Sequence, residues 1–532
     1  MNATGAAPAD DEDASAADLP DFIAVQIPPW SAIAQVSRTR RMIILAVCCM
    51  ALLMIGIDNT IVNVALPSIG ADLHASVSGL QWTVSAYTIV LAAFMLLAGS
   101  VGDRFGRRAT FQTGLALFTL GSWLCSLATS LDWLIAFRVV QALGGSMLNP
   151  VAASIIAVTF SGKAERARAM GLWSGVFGLS MALGPVGGGF LTDAVGWRGV
   201  FWVNIPVGLA GVALAAILIP ESRAIKPRRL DPVGQVLVIA GLGSLTYAII
   251  QGPGAGWTSP RIVGLLALVI VVLLSLVAYE SRRRQPLVDP RFFRSVQFSG
   301  AVMVGIASFA ALGGFLFLAT LYLQDVQGLS PVQAGLRVLP TAGAMLICAP
   351  LAGRIMARSG PRVPLLLAGA GLTLGCAAVA RTSGGPHDGY LALAYEVFGI
   401  GAGMVNPVIT TVAVSGMPLA QVGVATGISS ACRQVGQALG VAVAGSILTA
   451  SIHADSMRGV TLAQFATATH GAWWLLSGCG YLVMVLAFVT TSGWAARSAA
   501  RAAHAFTSNS GGSMNSHQGS TPVIGRPSEY GQ

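Results

Sequence analysis

The 532-residue chain is 54% hydrophobic and only 10% charged, with a mean hydropathy of +0.72. Soluble domains carry about 25% charged residues, so the composition excludes a soluble globular protein and points to an all-α polytopic membrane protein. The net charge of +10 would suggest a nucleic-acid partner in a soluble protein, but here the basic residues sit in short loops between apolar runs, and no such partner is expected. The seven cysteines lie in apolar stretches without CxxC spacing and read as core filler, with neither disulfides nor a metal site.

Residues 1–41 form an acidic tail without a cleavable signal. At about 20 apolar residues per crossing, the spacing predicts fourteen transmembrane helices. They fall near 42–66, 79–102, 109–129, 132–158, 166–192, 197–219, 231–251, 261–280, 297–323, 332–357, 362–380, 388–414, 421–449 and 470–492. The Ser/Gly-rich tail that closes the chain is expected to be disordered.

Charge gives the orientation. The loops DRFGRR, SGKAERAR, PESRAIKPRRLD, ESRRRQPLVDPRFFR and GRIMARSGPR hold 18 Lys and Arg, whereas the opposite face holds Arg198, Arg261, Arg381 and Arg458. The basic loops and both termini are therefore expected on the cytoplasmic side of the cell membrane.

A repeat organises the crossings. GGSMLNP (144–150) recurs as GAGMVNP (401–407), an offset of 257, and GSVGDRFGRR (99–108) is echoed by GRIMARSGPR (353–362). Two six-helix halves follow, 42–220 and 296–495, with 221–295 an inserted helix pair and 496–532 a cytoplasmic tail. Such duplicated transporters place the substrate site between their halves at mid-membrane.

Four stretches carry chemistry. IGIDNTIVNVALP in the first helix puts Asp58, Asn59, Thr60 and Asn63 around more than half the circumference, so this helix end lines a cavity or packs inside the bundle. An ionisable group at that depth costs about 2.5–3.5 kcal/mol on insertion scales and calls for a partner. In the fourth helix, Arg138, Gln141, Gly145 and Asn149 share one stripe, which makes Arg138 the proposed neighbour of Asp58. The loop GSVGDRFGRR combines glycines for close approach, Asp103 for capping and arginines for the cytoplasm. In the fifth helix, Gly184 and Pro185 interrupt the hydrogen-bond ladder beside the small-residue run Gly187 to Gly189. Glu396, one residue from the repeat counterpart of Arg138, and Arg433 in the thirteenth helix read as further buried charges. For Glu396 a second proton site and a structural partnership with Arg433 or Arg138 stay open. Asn59, Asn63, Gln141, Asn149, Asn406 and Arg433 are the candidate cavity lining.

The loop GSVGDRFGRR resembles the signature G-x-x-x-D-R-x-G-R-R/K of the major facilitator superfamily. The resemblance implies a cytoplasmic latch between the halves, carried here by Gly99, Asp103, Arg104, Gly106, Arg107 and Arg108. LIAFRVVQALGGS resembles the family's fourth-helix pattern, implicated in proton transfer, with Ala142 in place of a glycine. Gly171, Ser180, Gly184, Pro185, Gly188 and Gly189 fall on the antiporter pattern G-x8-G-x3-G-P-x2-G-G, in which Ser180 departs. Asp58, Thr60, Val62, Asn63, Ala65, Leu66 and Pro67 match the first-helix signature of the fourteen-helix drug:proton antiporters.

The resemblance implies export of amphiphilic organic compounds, with multidrug resistance or antibiotic self-resistance as the outcome. A carboxylate such as Asp58 or Glu396, whose surroundings alternate between two states, takes up a proton on one side and releases it on the other. The proton gradient then suffices as energy source: no cofactor is expected, and the chain has no GxxxxGK[ST] loop. Function as a monomer is expected. A proton-coupled symporter or uniporter of a small metabolite on the same fold is the rival reading. A membrane-embedded enzyme or receptor would need a constellation such as HExxH or GxSxG, or a sizeable soluble domain, and neither is found.

Overall fold

A computed structural model describes residues 25–26, 37–160, 162–224, 230–283, 286–381, 388–415, 419–452 and 460–501. The expected disorder of the Ser/Gly-rich tail and most of the acidic tail fall outside these residues. Of the acidic tail, Val25–Gln26 pairs antiparallel with Arg223–Ala224.

The described residues form fourteen long helices, one over each predicted crossing. They are α1 (Arg38–Asp72), α2 (Val77–Phe105), α3 (Arg107–Ser126), α4 (Leu131–Thr159), α5 (Lys163–Val195), α6 in two pieces (Gly199–Trp202 and Asn204–Leu218), α7 (Pro232–Ala255), α8 (Pro260–Glu280), α9 (Val296–Leu321), α10 (Pro331–Ser359), α11 (Arg362–Ala380), α12 (Asp388–Val414), α13 (Leu419–Ser451) and α14 (Leu462–Thr490). Eleven are long and apolar enough to cross a membrane, and α5, bent by 42° between its two parts, makes twelve. Pro185 lies just past that bend, where it removes a backbone donor. The other two, α3 and α13, carry more polar side chains.

Local chemistry sets the ends. Ser76 accepts from Gly79 N at the start of α2, and Ser330 with Gln333 and Thr461 with Gln464 form reciprocal capping boxes on α10 and α14. The Thr461 box starts α14 well before the apolar run that predicts it.

Within the first six helices α1 packs on α5, and α4 on α2 and α3. Among the last six, α9 packs on α13 and α14, and α12 on α10 and α11. The two sets meet along α2 against α13 and α5 against α10. Each of these contacts becomes the other when the helices exchange places under the repeat, as a quasi-two-fold arrangement requires. The inserted helix α7 lies over the α2/α13 seam: Gln235 donates to Ala93 O at 2.9 Å, and Ser446 donates to Ile249 O at 2.6 Å. Its partner α8 turns Ile270, Leu274 and Val277 outward, as lipid contact demands.

Candidate functional site

Five helices bring polar groups to one dry point in the N-terminal half. Asp58 on α1 is 0% exposed and Arg138 on α4 is 1% exposed, and Arg138 Nη1 donates to Asp58 Oδ2 at 2.6 Å. A buried pair is tolerated only when its remaining donors and acceptors are met. Here Arg138 Nη1 also donates to Gln141 Oε1 at 2.8 Å, and Gln141 Nε2 donates to Asp58 Oδ1 at 2.8 Å and to Ser122 Oγ at 2.7 Å. Asn204 Nδ2, at the break in α6, donates to Ser122 Oγ at 3.3 Å and reaches Asp58 Oδ1 at 3.5 Å. From α2, Thr83 O accepts from Arg138 Nε at 3.4 Å, and the Tyr87 ring lies 4.0 Å from the guanidinium carbon, a cation–π contact.

The expected Asp58 and Arg138 neighbours therefore meet. Ser122, Asn204, Thr83 and Tyr87 complete the network, although no sequence feature singles them out. Arg138 lies about 10 Å in from the start of α4, at 1.5 Å per residue, on the side away from the basic loops. Further along its stripe Gly145 packs against Leu91 and Tyr87, and Asn149 is half-buried. On α1, Asn59 and Asn63 are buried. Asn63 Nδ2 donates to Asn59 O at 3.0 Å, and the two side-chain carbonyls have no partner among the described residues.

At the repeat offset, Asp58, Arg138 and Gln141 correspond to Phe315, Tyr395 and Phe398. Those three also touch: Phe315 stacks on Phe398 with centroids 4.0 Å apart and meets Tyr395 edge-on at 4.9 Å. One half thus fills the position with charge and hydrogen bonds, the other with rings.

Glu396 needs correction. It is exposed and forms no ion pair among the described residues, so it is neither a buried charge nor a partner of Arg433 or Arg138. One residue of offset is about 100° of rotation, and the buried place belongs to Tyr395. Arg433 is half-buried, and its Nη2 donates to Ser430 Oγ at 2.7 Å. Asn406 is half-buried, with its side-chain carbonyl unmatched among the described residues.

The described polar contacts of the latch loop stay within the N-terminal half and the first residues of the inserted segment. Arg107 Nη2 donates to Asp103 Oδ1 at 2.9 Å, while Glu221, from beyond α6, accepts from Arg108 N at 3.1 Å and Ala109 N at 3.2 Å. Glu221 thus caps α3 where Asp103 was the expected capping group. Gly106 has a φ of 113°, open to glycine, and a β-carbon there would meet Glu221 Oε1 at 2.5 Å. Among the described residues, neither Gly99 nor Arg104 makes a hydrogen bond or ion pair to the other half.

The glycine pattern of α5 permits close approach in two directions. A β-carbon at Gly184 would overlap the Thr60 hydroxyl, and one at Gly188 would crowd Ile61, both on α1; Gly189 and Pro185 press against Pro331 and Gly335 on α10. Ser180 is fully buried. Toward the basic end, nothing lies within 4 Å of a β-carbon built at Gly171 or Gly175. Polar contacts between the halves gather at the opposite end. Asp193 accepts from Ser330 Oγ at 3.0 Å and Val332 N at 3.2 Å, Gln324 donates to Val64 O at 2.8 Å, and Gln81 donates to Ala442 O at 2.7 Å. Among the described residues, the close contacts of the α5/α10 seam lie away from the basic loops.

Residues 48–441 match the family model of the Major Facilitator Superfamily. The chain is 38% identical to the tetracenomycin C resistance and export protein of Streptomyces glaucescens, with 75% of this chain and 74% of that protein aligned. It is 36% identical to the multidrug resistance protein Stp of Mycobacterium tuberculosis (76% and 75%) and 34% identical to the methylenomycin A resistance protein of Streptomyces coelicolor (79% and 88%). In fold it is similar to a D-xylose-proton symporter, with a TM-score of 0.60 at 15% identity over 84% of this chain and 96% of that one. A human organic anion transporter gives a TM-score of 0.59 at 15% identity, over 85% and 100%. The chain belongs to the Major Facilitator Superfamily: it is a multi-pass membrane transporter whose relatives are named for drug resistance and export.

Proposed function

We propose that this transporter exports amphiphilic organic compounds from the cytoplasm in exchange for protons, and that Asp58 carries the proton. The observation that carries the reading is the asymmetry between the halves. Asp58 is wholly buried, paired with Arg138 and held by Gln141, whereas the duplicate positions are aromatic and cannot titrate in that way. A proton arriving at Asp58 cancels the carboxylate charge that holds Arg138. The resulting loss of attraction is a change that favours one packing of the halves over the other. Arg138 stays charged throughout and tunes the site without carrying the proton.

One proton moving down about 100 mV supplies about 2.3 kcal/mol, roughly a fifty-fold substrate gradient. The proton gradient serves as the only energy source, without a cofactor. The charge asymmetry of the loops supports a cytoplasmic-membrane location with both termini inside. The 42–220 and 296–495 halves move against each other around a site between them, and the monomer is the working unit. Relatives named for resistance to single antibiotics and to many drugs support antibiotic or multidrug resistance as the outcome.

Inverted membrane vesicles test the reading, with symport and uniport as the rivals. Uptake of a neutral amphiphilic dye such as Nile red driven by an acidic interior, and lost in Asp58→Asn, is the expected result. Equal uptake by the mutant, or uptake without any proton gradient, overturns it.

A further inference from the structure

The C-terminal half holds an arginine that the ion-pair network leaves out. Arg433 lies in the middle of α13, and no carboxylate among the described residues stands within ion-pair distance of it. Its Nη1 is sealed from solvent and has no hydrogen-bond partner among the described residues, while Nη2 is spent on Ser430 Oγ. The contrast with Arg138 is sharp: the fully buried arginine has a carboxylate, an amide and a ring, and the half-buried one has one hydroxyl.

Helix geometry shows where Arg433 faces. On α13, at about 100° per residue, Gly436 and Gly440 fall about 60° and 20° to one side of Arg433, and Gly427 and Gly445 about 120° to the other. Gly436 and Gly440 pack on the α9 backbone at Ile306 and Ala310; Gly427 and Gly445 pack on Leu96 and Gln81 of α2, in the other half. Arg433, Ser430 and Gln434 occupy the arc between, which is the seam of the two halves. The Arg433 stem passes Gly305, and its guanidinium carbon lies 5.9 Å from the Phe309 centroid. Other buried polar atoms on these helices and on α12 are also unmatched among the described residues: Ser308 Oγ, Ser429 Oγ, Gln434 Oε1 and Asn406 Oδ1.

We propose that Arg433 is the anchor for an oxyanion, a carboxylate or phenolate, on the amphiphilic compounds that the transporter exports. This rests on the export reading above. A half-buried guanidinium with no carboxylate partner among the described residues gains most from a planar oxyanion that takes its free N–H groups. Gln434 and Asn406, as acceptors without donors, suit hydroxyl groups on the same ligand, and Phe309 offers an aromatic surface. The C-terminal half thus recognises cargo where the N-terminal half handles the proton.

The test uses the full chain in phosphatidylcholine nanodiscs, which carry no anionic lipid, in chloride-free buffer, with 9-anthracenecarboxylate and the neutral 9-anthracenemethanol as probes. Wild type binds the carboxylate about tenfold or more tighter than the alcohol, the scale of one charge-assisted hydrogen bond. Arg433→Gln abolishes that preference, and Glu396→Gln, at an exposed position outside both sites, keeps it. Arg433→Lys, which retains charge but loses the fork, weakens the preference several-fold, and decides the question if the glutamine variant does not fold by its melting curve. No preference in wild type, an unchanged preference in either Arg433 variant, or a preference erased by chloride as readily as by the unlabelled acid overturns the proposal. Acid-driven uptake of the alcohol by vesicles is read separately. Uptake without carboxylate preference removes only the anion site, and preference without acid-driven uptake removes only antiport.

Discussion

Arg138 Nη1 lies 2.6 Å from Asp58 Oδ2 across two helices, and each side chain is closed off from solvent. The consequence is unequal tolerance to change. Removing the cation leaves an uncompensated buried carboxylate, a loss of about 3–5 kcal/mol by the behaviour of other buried pairs. Arg138→Ala should therefore lower the melting temperature in detergent markedly, and Arg138→Lys less so. Asp58→Asn keeps the shape and one acceptor but leaves the Arg138 charge uncompensated, so it should melt below wild type and above Arg138→Ala, which also loses the side chain's packing, while losing acid-driven transport. A melting point for Asp58→Asn as low as that of Arg138→Ala would mean that the pair is mainly structural.

The visibility of this pair in the sequence has a physical basis. Asp58 and Arg138 are expensive in an apolar helix, and Gln141 follows Arg138 by one turn, so charge, depth and spacing agree. Ser122, Thr83 and Asn204 carry no such signal, because a hydroxyl or amide in a membrane helix often bonds its own backbone, as Thr88 does to Val84 O and Ser85 O. Their roles depend on which faces meet. The aromatic triad was within reach, since the repeat offset names Phe315, Tyr395 and Phe398, but only contact reveals it as the counterpart of the ion pair. The helices were legible because each is one long apolar run, and their ends less so, because capping side chains extend α14 into the polar stretch after Thr461.

A helix turns about 100° between neighbours, which separates buried Tyr395 from exposed Glu396, and a one-residue offset in the repeat is enough to exchange the two. Glu396→Gln should leave both melting and acid-driven transport unchanged within error. A loss of transport like that of Asp58→Asn would give Glu396 a proton role after all.

The approach of α5 to α1 rests on Gly184. A methyl group there must displace the Thr60 hydroxyl, which bonds to Gly56 O at 3.3 Å and Ile57 O at 3.1 Å in its own helix. Gly184→Ala is expected to destabilise by about 1–3 kcal/mol, the range for overpacking. Thr60→Ala gives up only local bonds and should cost less, and the double mutant Gly184→Ala with Thr60→Ala should recover most of the loss. Additive melting shifts in the double mutant would show that the two positions do not compete for the same space.

Glu221 joins the end of the sixth helix to the start of the third by accepting from Arg108 N and Ala109 N. A carboxylate at a helix N-terminus satisfies orphan donors and suits the local dipole, together worth about 0.5–2 kcal/mol at a comparable cap. Glu221→Ala should lower stability within that range, and Glu221→Gln by less.

At the far end from the basic loops, Asp193 of α5 reaches across to the first residues of α10, where Ser330 Oγ and Val332 N donate to it. These bonds join helices from different halves and exist only while the halves touch there, so they favour the conformation seen here over one open at that end. Asp193→Ala should shift the balance toward opening. The measurement is the labelling rate of Gln324→Cys by a membrane-impermeant maleimide in intact cells, because Gln324 closes the same end through Val64 O. Faster labelling in the Asp193→Ala background, with Glu221→Ala as a control that leaves the rate unchanged, is the expected outcome. Equal rates in all three would mean that Asp193 caps α10 without holding the halves together.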